Sequence, residues 1–275
     1  MARNRYRDES VAGDVRDFFL NPAHRLYKLF DPTPDCGPKS PYSRKQLEVL
    51  FEDEYFHWVT DRAVTSLLSE SFLKEVVESI NGTQVHFVYR HNIRYIRRPI
   101  HERKELIRQY SHPIISKATG DYAEILFSFW LRTLGFIVVA KNSNTHKGRT
   151  WTQTGHDLDY IVEKDGLGYG VEIKNTFPYM ENDEFEVKTK MCEHLQIYPL
   201  FILRNAPATQ IDGISGKGLI LRFKTKAYPP GQEQLTKQIW KLMRLPVKVM
   251  QDVTPGLSKV LLAFHASAPP LQPNP

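Results

Sequence analysis

His156-Asp157-Leu158-Asp159-Tyr160-Ile161-Val162 and Tyr169-Gly170-Val171-Glu172-Ile173-Lys174-Asn175 are the two runs that decide how this chain is read. Both are short and β-branched. Residues 163–168 between them are rich in Gly and Asp, which predicts a β-hairpin with a loop of several residues. Side chains two apart on a strand share a face, so Glu172 and Lys174 emerge together. With the strands paired, Asp159 faces them from the neighbouring strand. Two carboxylates and an ammonium then converge inside an otherwise apolar sheet. Such a gathering is costly unless a metal or a substrate needs it.

The flanking segments extend the pattern in both directions. Ala123, Leu126, Phe127, Trp130, Leu131 and Leu134 fall at helical spacing over residues 119–135, with Glu124 beside the stripe and Gly135 as the stop. Residues 136–140 read as an apolar strand suited to a sheet interior. Residues 141–155 read as a long polar loop holding His146, Lys147, Arg149 and Trp151, and long loops in compact domains often carry function. After the hairpin come a helix over 184–195, strands over 198–204 and 219–223, and a helix over 232–245. Late strands are expected at 247–249 and 260–264, and a proline-rich disordered tail at 267–275.

The N-terminal part has a different character. Residues 1–42 predict a helical arm, with apolar spacing at 12–20 and 23–30, and a linker broken by Pro32, Pro34, Pro38 and Pro41. Ser43 followed by Gln46 is a capping-box spacing at the start of a helix. Thr60-Asp61 reads as a second cap, and a further helix over 72–80 is stopped by Asn81-Gly82. The period changes at 83–99, where Val85, Phe87 and Tyr89 alternate with polar residues. His91-Asn92 is the expected turn, with Ile93 and Tyr95 on a return strand. Arg90, Arg94, Arg97 and Arg98 make that hairpin basic. Residues 101–118 continue basic and predict a linking helix, with Ser111-His112-Pro113 as a boundary. Helices followed by a β-hairpin resemble the winged helix-turn-helix superfamily over roughly residues 43–100. That resemblance implies DNA contact through the four arginines. The alternative is a structural or dimerising winged helix with a solvated basic face.

Around the opening stretch the order is helix, three strands, helix, strand. Gly120-Asp121-Tyr122-Ala123-Glu124, then Leu158-Asp159-Tyr160-Ile161, then Val171-Glu172-Ile173-Lys174 resemble the PD-(D/E)xK nuclease superfamily, which includes restriction endonucleases and Holliday-junction resolvases. The resemblance covers about residues 115–225. Leu158 stands where the proline of the family's name would be. The resemblance implies an α/β fold: a restriction-endonuclease-like core, with a central mixed sheet flanked by helices, preceded by a mainly helical winged helix-turn-helix domain. The expected domains are 1–42 arm and linker, 43–110 DNA-binding, 111–266 nuclease and 267–275 tail. Family members commonly act as dimers, so a homodimer is expected.

The chemistry explains the residue types. Phosphodiester hydrolysis must stabilise charge on phosphoryl oxygens and supply hydroxide near neutral pH. A hard cation such as Mg²⁺, with Mn²⁺ as substitute, needs only one or two carboxylates beside the phosphate. Asp159, Glu172, Glu124 and the Ile173 carbonyl are the expected ligands. Lys174 is expected to orient the attacking water. Lys147 and Arg149 join the arginines as expected DNA contacts. Each residue alone also has a plain structural reading. Asp157 and Asp159 fit edge-strand charges, and Glu172 with Lys174 fit an exposed strand face. Glu124 fits a capping partner of Asp121. Glu186 and Lys190 read first as a surface pair, and Cys192 as a buried helix residue. Asn175 fits either a structural or a substrate role.

Composition narrows the classes. The chain has 275 residues, 41% hydrophobic and 25% charged, as expected of a globular protein with a real core. Its net charge of +6 and pI of about 9.1 favour a polyanionic partner. No apolar run approaches the roughly 20 residues that span a bilayer, and the charged first nine residues hold no apolar signal core. The two cysteines are far apart, against a disulfide or zinc framework. A cytoplasmic protein is expected, and without a G-x-x-x-x-G-K-[ST] run it has no nucleotide cofactor of its own. The expected function is a Mg²⁺-dependent DNA endonuclease of restriction or defence type. The alternatives are a junction-resolving nuclease and a non-catalytic winged-helix DNA-binding protein.

Overall fold

Asn81-Gly82 and Asp165-Gly166 each turn the chain through two successive left-handed residues, with φ of 49° and 80° at the first and 48° and 81° at the second. Two positive φ values in a row define the tight turn whose twist matches that of paired strands. These dipeptides set the two long hairpins of the molecule.

The computed structural model describes residues 8–28 and 36–269. They divide into two compact units, the first reaching to Ser116 and also taking in Glu233–Val247. In the first unit come α1 (Asp8–Leu20), α2 (Arg25–Lys28), β1 (Tyr42–Ser43), α3 (Arg44–Leu50), α4 (His57–Ser69), β2 (Leu73–Ile80), β3 (Thr83–Arg90) and α5 (Arg97–Tyr110). Ser43 caps α3 as its spacing predicted, with Gln46 reciprocating. The three strands form an antiparallel sheet in the order β1-β3-β2. The core joins Val11, Val15, Phe18 and Phe19 of α1 to Leu47, Phe51, Val64, Leu67 and Val88.

The first hairpin differs from the expected one. Residues 72–80 are not a helix. Leu73, Val76, Val77 and Ile80 have helical spacing, but they lie on β2, which pairs along its whole length with β3. The β-branched pair and the Asn-Gly turn outweigh the spacing. Consequently His91-Asn92 is not the tip, and Ile93 and Tyr95 are not on a return strand. Arg94 lies in the loop after β3, and Arg97 and Arg98 open α5. Thr60 and Asp61 sit inside α4, whose cap position is Phe56.

The second unit is α/β, with a central mixed sheet flanked by helices. Its elements begin with α6 (Pro113–Thr133), β4 (Ile137–Ser143), the short hairpin β5 (Thr145–His146) and β6 (Arg149–Thr150), then β7 (Leu158–Lys164) and β8 (Leu167–Lys174). They continue with α7 (Asn182–Leu195), β9 (Tyr198–Leu203), α8 (Ala208–Ile214), β10 (Leu219–Arg222) and β11 (Lys226–Tyr228). Helix α9 (Glu233–Met243) belongs to the first unit, unlike the expected division at 111–266. There the Gln46 amide donates to the Met243 carbonyl at 2.6 Å. β12 (Val247–Val249) and α10 (Pro255–Ser267) follow.

The five-stranded sheet runs β10-β9-β8-β7-β4. β8, β9 and β10 are parallel, whereas β7 and β4 are antiparallel to their neighbours. Phe127, Trp130 and Leu131 of α6 and Leu261 of α10 meet Tyr160, Val162, Val171 and Leu200. Met191, Cys192 and Leu195 of α7 meet Leu158 and Ile161.

Three expectations are corrected here. β4 is the sheet edge, not an interior strand, and leaves Ile137 68% and Val139 47% exposed. Residues 260–264 are helical in α10, because the apolar run continues a helix opened by Pro255 at its first turn. The polar stretch after β4 is partly ordered by the β5–β6 hairpin and by Trp151, which is buried. Pro32, Pro34 and residues 270–275 of the expected tail lie outside the described residues.

Candidate functional site

β7 and β8 pair through Tyr160↔Val171, so Asp159 and Glu172 occupy the next step of the hairpin. Asp159 Oδ2 accepts the Ile173 backbone N–H at 2.7 Å. Glu172 is 2% exposed, and both its oxygens are engaged. Oε2 accepts from the Lys188 ammonium at 2.7 Å, and Oε1 lies 3.1 Å from Lys174 Nζ. Lys174 also meets Glu184 at 2.7 Å. Lys188 completes its shell on the Asp157 backbone carbonyl. The structure thus brings Asp159, Glu172 and Lys174 together, as the strand spacing predicted.

The electrostatics follow from burial. Burial first, and the Glu172 charge second, push Asp159 up to about 7, against the Ile173 N–H that favours its charged form. Lys174 is raised as well, by a different balance of causes. Burial alone would lower it, but the carboxylates of Glu172 and Glu184 more than offset this and hold it above its ordinary value. Lys174 is therefore an ammonium at neutral pH, suited to stabilising negative charge and not to accepting a proton.

Glu124 does not close on the acid pair. Its carboxylate lies 3.4 Å from Lys141 Nζ, and Lys141 is 5.3 Å from the Tyr160 ring centroid. Its charge is still among the smaller causes that raise Asp159. The capping reading of Glu124 fails, because α6 begins at Pro113 and both Asp121 and Glu124 lie inside it. Among the described residues, no three of His, Cys, Asp and Glu gather as a metal-ligand set. The physical reason is visible in the pairs: Glu172 and Glu124 turn to lysines. Asp159 Oδ1 carries no hydrogen bond among the described residues, whereas both oxygens of Glu172 are engaged. An acid pair that repels itself, with one oxygen open, has donor chemistry that suits a hard cation.

Lys188 and Glu184, which the strand spacing does not point to, join the cluster from α7. The signal was present in α7, where Phe185, Lys188, Cys192 and Leu195 share the buried stripe. A lysine within that stripe requires an acid opposite, and Glu172 is the acid. Glu186 and Lys190 are the surface pair expected, 3.7 Å apart and mostly exposed. Asn175 is structural: its amide donates to the carbonyls of Thr119 and Ala227 and its oxygen accepts the Ala227 N–H. Asp157 is exposed, and Cys192 is fully buried.

The expected DNA contacts divide. Arg94, Arg97 and Arg98 are exposed around Tyr95, itself 92% exposed. Arg98 pairs with Glu102 one turn on. Arg90 is half-buried, with an unpartnered Nε. In the second unit, Lys147 is paired with Glu163 at 2.9 Å, and Arg149 lies on β6. No helix among the described residues is long and apolar enough to cross a membrane. Comparison of the chain with protein-family models, with curated proteins and with solved structures gives no match.

Proposed function

We propose that the second unit is a metal-dependent nuclease core of the restriction-endonuclease-like kind, and that the chain is a DNA endonuclease of restriction or defence type. The observation that carries this reading is the pairing of Asp159 with Glu172 beside the ammonium of Lys174 at one step of a buried hairpin. The succession α6, β4, β7, β8, α7, β9 supports the same reading. In the first unit, a short strand, two helices and a hairpin closing a sheet in the order β1-β3-β2 support a winged helix. We place its DNA contacts at Arg94, Arg97 and Arg98, in the loop and helix start after the hairpin.

Asp159 and Glu172 would hold the cation, with the Ile173 carbonyl at hand and Glu124 as an outer acid. Bound there, Mg²⁺ or Mn²⁺ would polarise the phosphoryl group and make hydroxide accessible near neutral pH. For Glu172 to share in this, Lys174 must release Oε1 and turn to the phosphate. Its persistent charge then stabilises the negative charge that builds on the phosphoryl oxygens. Lys188 keeps Glu172 oriented throughout.

A second reading, DNA binding without hydrolysis, draws on the same ion pairs: Glu172 is already neutralised by two lysines. One experiment separates them. Supercoiled and linear DNA are incubated with Mg²⁺ and the wild-type protein, Asp159→Ala or Lys174→Ala. Cleavage is expected only from the wild type, with DNA binding retained in both variants. Equal activity in the variants overturns the site. A wild type that binds but does not cut supports the second reading. Discrete fragments from a defined plasmid would support a restriction-type enzyme over a junction-resolving one.

A further inference from the structure

Lys226 opens β11 and is 8% exposed. Among the described residues no carboxylate, carbonyl or hydroxyl bonds its ammonium. It lies instead 5.1 Å from the Phe177 ring centroid and 5.7 Å from that of Tyr228. The Arg204 guanidinium lies 5.6 Å from the same Phe177 ring. Arg204 is 1% exposed and donates to the carbonyls of Thr176 and Phe177, each at 2.8 Å. Two cations therefore share one aromatic ring, and Lys226 has no acid partner among the described residues. Burial, with Arg204 adding to it, lowers Lys226 to about 8. The buried lysine at the hairpin, Lys188, has a carboxylate; Lys226 has none.

The location connects this pair to the acid site. The Arg204 N–H donates to the Lys174 carbonyl at 2.9 Å. Asn175, the residue after Lys174, is bonded in both directions to Ala227, at 2.8 Å each way. The strand bearing Lys226 is thus pinned to the residue that follows Lys174. A buried, unpaired amine costs stability, and an oxyanion arriving from outside would supply the missing partner. The aromatic faces attract the cation but leave its N–H donors unused.

We propose that Lys226, backed by Arg204, is a phosphate subsite for a nucleic-acid strand. It takes the phosphodiester next to the one presented to Asp159, Glu172 and Lys174. This rests on the nuclease reading for its neighbour, but the subsite itself is testable without cleavage.

The full-length wild type, Lys226→Met and Lys226→Arg are melted in potassium phosphate and in potassium chloride at matched ionic strength. DNA affinity is measured over a salt series without divalent cation. Phosphate is expected to raise the wild-type midpoint, by the linkage of ligand binding to folding. Lys226→Met is expected to melt higher than wild type in chloride, because the buried amine is gone, and to lose the phosphate increment. Its DNA affinity should fall about tenfold, with a salt slope shallower by about one. Lys226→Arg should restore both. A phosphate increment and DNA affinity unchanged in Lys226→Met would overturn the subsite. A wild type that cuts no DNA while these signatures hold would overturn hydrolysis and leave the subsite standing. Normal cutting with unchanged Lys226→Met binding does the reverse.

Discussion

The two hairpins, β2–β3 and β7–β8, share a local code and differ in everything that surrounds it. Both turn on a dipeptide with successive positive φ angles, and their strands are seven or eight residues long. On β2 only the two ends are buried, whereas six successive residues of β8 are. The acids of the first hairpin are answered at the surface: Glu78 by Lys104, and Glu75 by Arg44 and His86, with side chains between 21% and 39% exposed. Glu172 of the second hairpin is 2% exposed between two lysines. The same residue types on the same local frame are thus solvated charges in one unit and a desolvated cluster in the other. The difference shows that burial, not hairpin formation, turns a charged strand into a site.

The strongest way to break the comparison is to remove one acid from each hairpin. Glu172→Ala leaves Lys188 buried without its carboxylate and should cost about 3–5 kcal/mol in denaturant unfolding. Glu78→Ala removes a partly exposed partner and should cost less than about 1 kcal/mol. Equal losses would mean that burial does not separate the hairpins.

The pH dependence sharpens it next. Asp159 rises from 3.8 to about 7, so the folded form holds a proton that the unfolded chain has released. Stability must then fall as pH rises across that window. Asp159→Asn should flatten the fall, seen by thermal melts from acid to neutral pH. Above that window Mg²⁺ should raise the wild-type midpoint and leave that of Asp159→Asn unchanged.

Packing gives a smaller effect. A Cβ at Gly170 would meet Cys192 Sγ at 2.5 Å and Leu158 Cδ1 at 2.8 Å. Gly170→Ala should therefore cost about 1–3 kcal/mol through overpacking against α7. The smallest difference is expected at the turns. Gly82 and Gly166 have nothing within 4 Å of an added Cβ and the same positive φ. Alanine at either should cost about 1 kcal/mol, from backbone conformation alone. Unequal values would show that the turns are not equivalent.

The β7–β8 hairpin was legible because two signals agreed. Its β-branched runs and Asp-Gly turn specify strands, and the charges at i and i+2 then share a face by geometry. At β2 the signals conflicted. Leu73, Val76, Val77 and Ile80 carry helical spacing on a strand, so the spacing points to a helix where the chain forms β2. The arginines were displaced with it, from a wing strand to a loop and the start of α5. Lys188 is legible only in part: its place in the apolar stripe of α7 marks it as buried, but the acid that answers it lies on a separate strand.

The sequence by itself determined the local elements that periodicity and turn chemistry impose: the α3 cap at Ser43, the stripe of α6 and the acid-bearing hairpin. Tertiary structure decided what depends on distant neighbours. It made β4 an edge, assigned α9 to the first unit, turned Glu124 to Lys141 and set Lys188 against Glu172. Local conformation is governed by residues a few positions apart, which the sequence displays directly. Burial and charge pairing depend on residues tens of positions apart, and these meet only when the chain has folded.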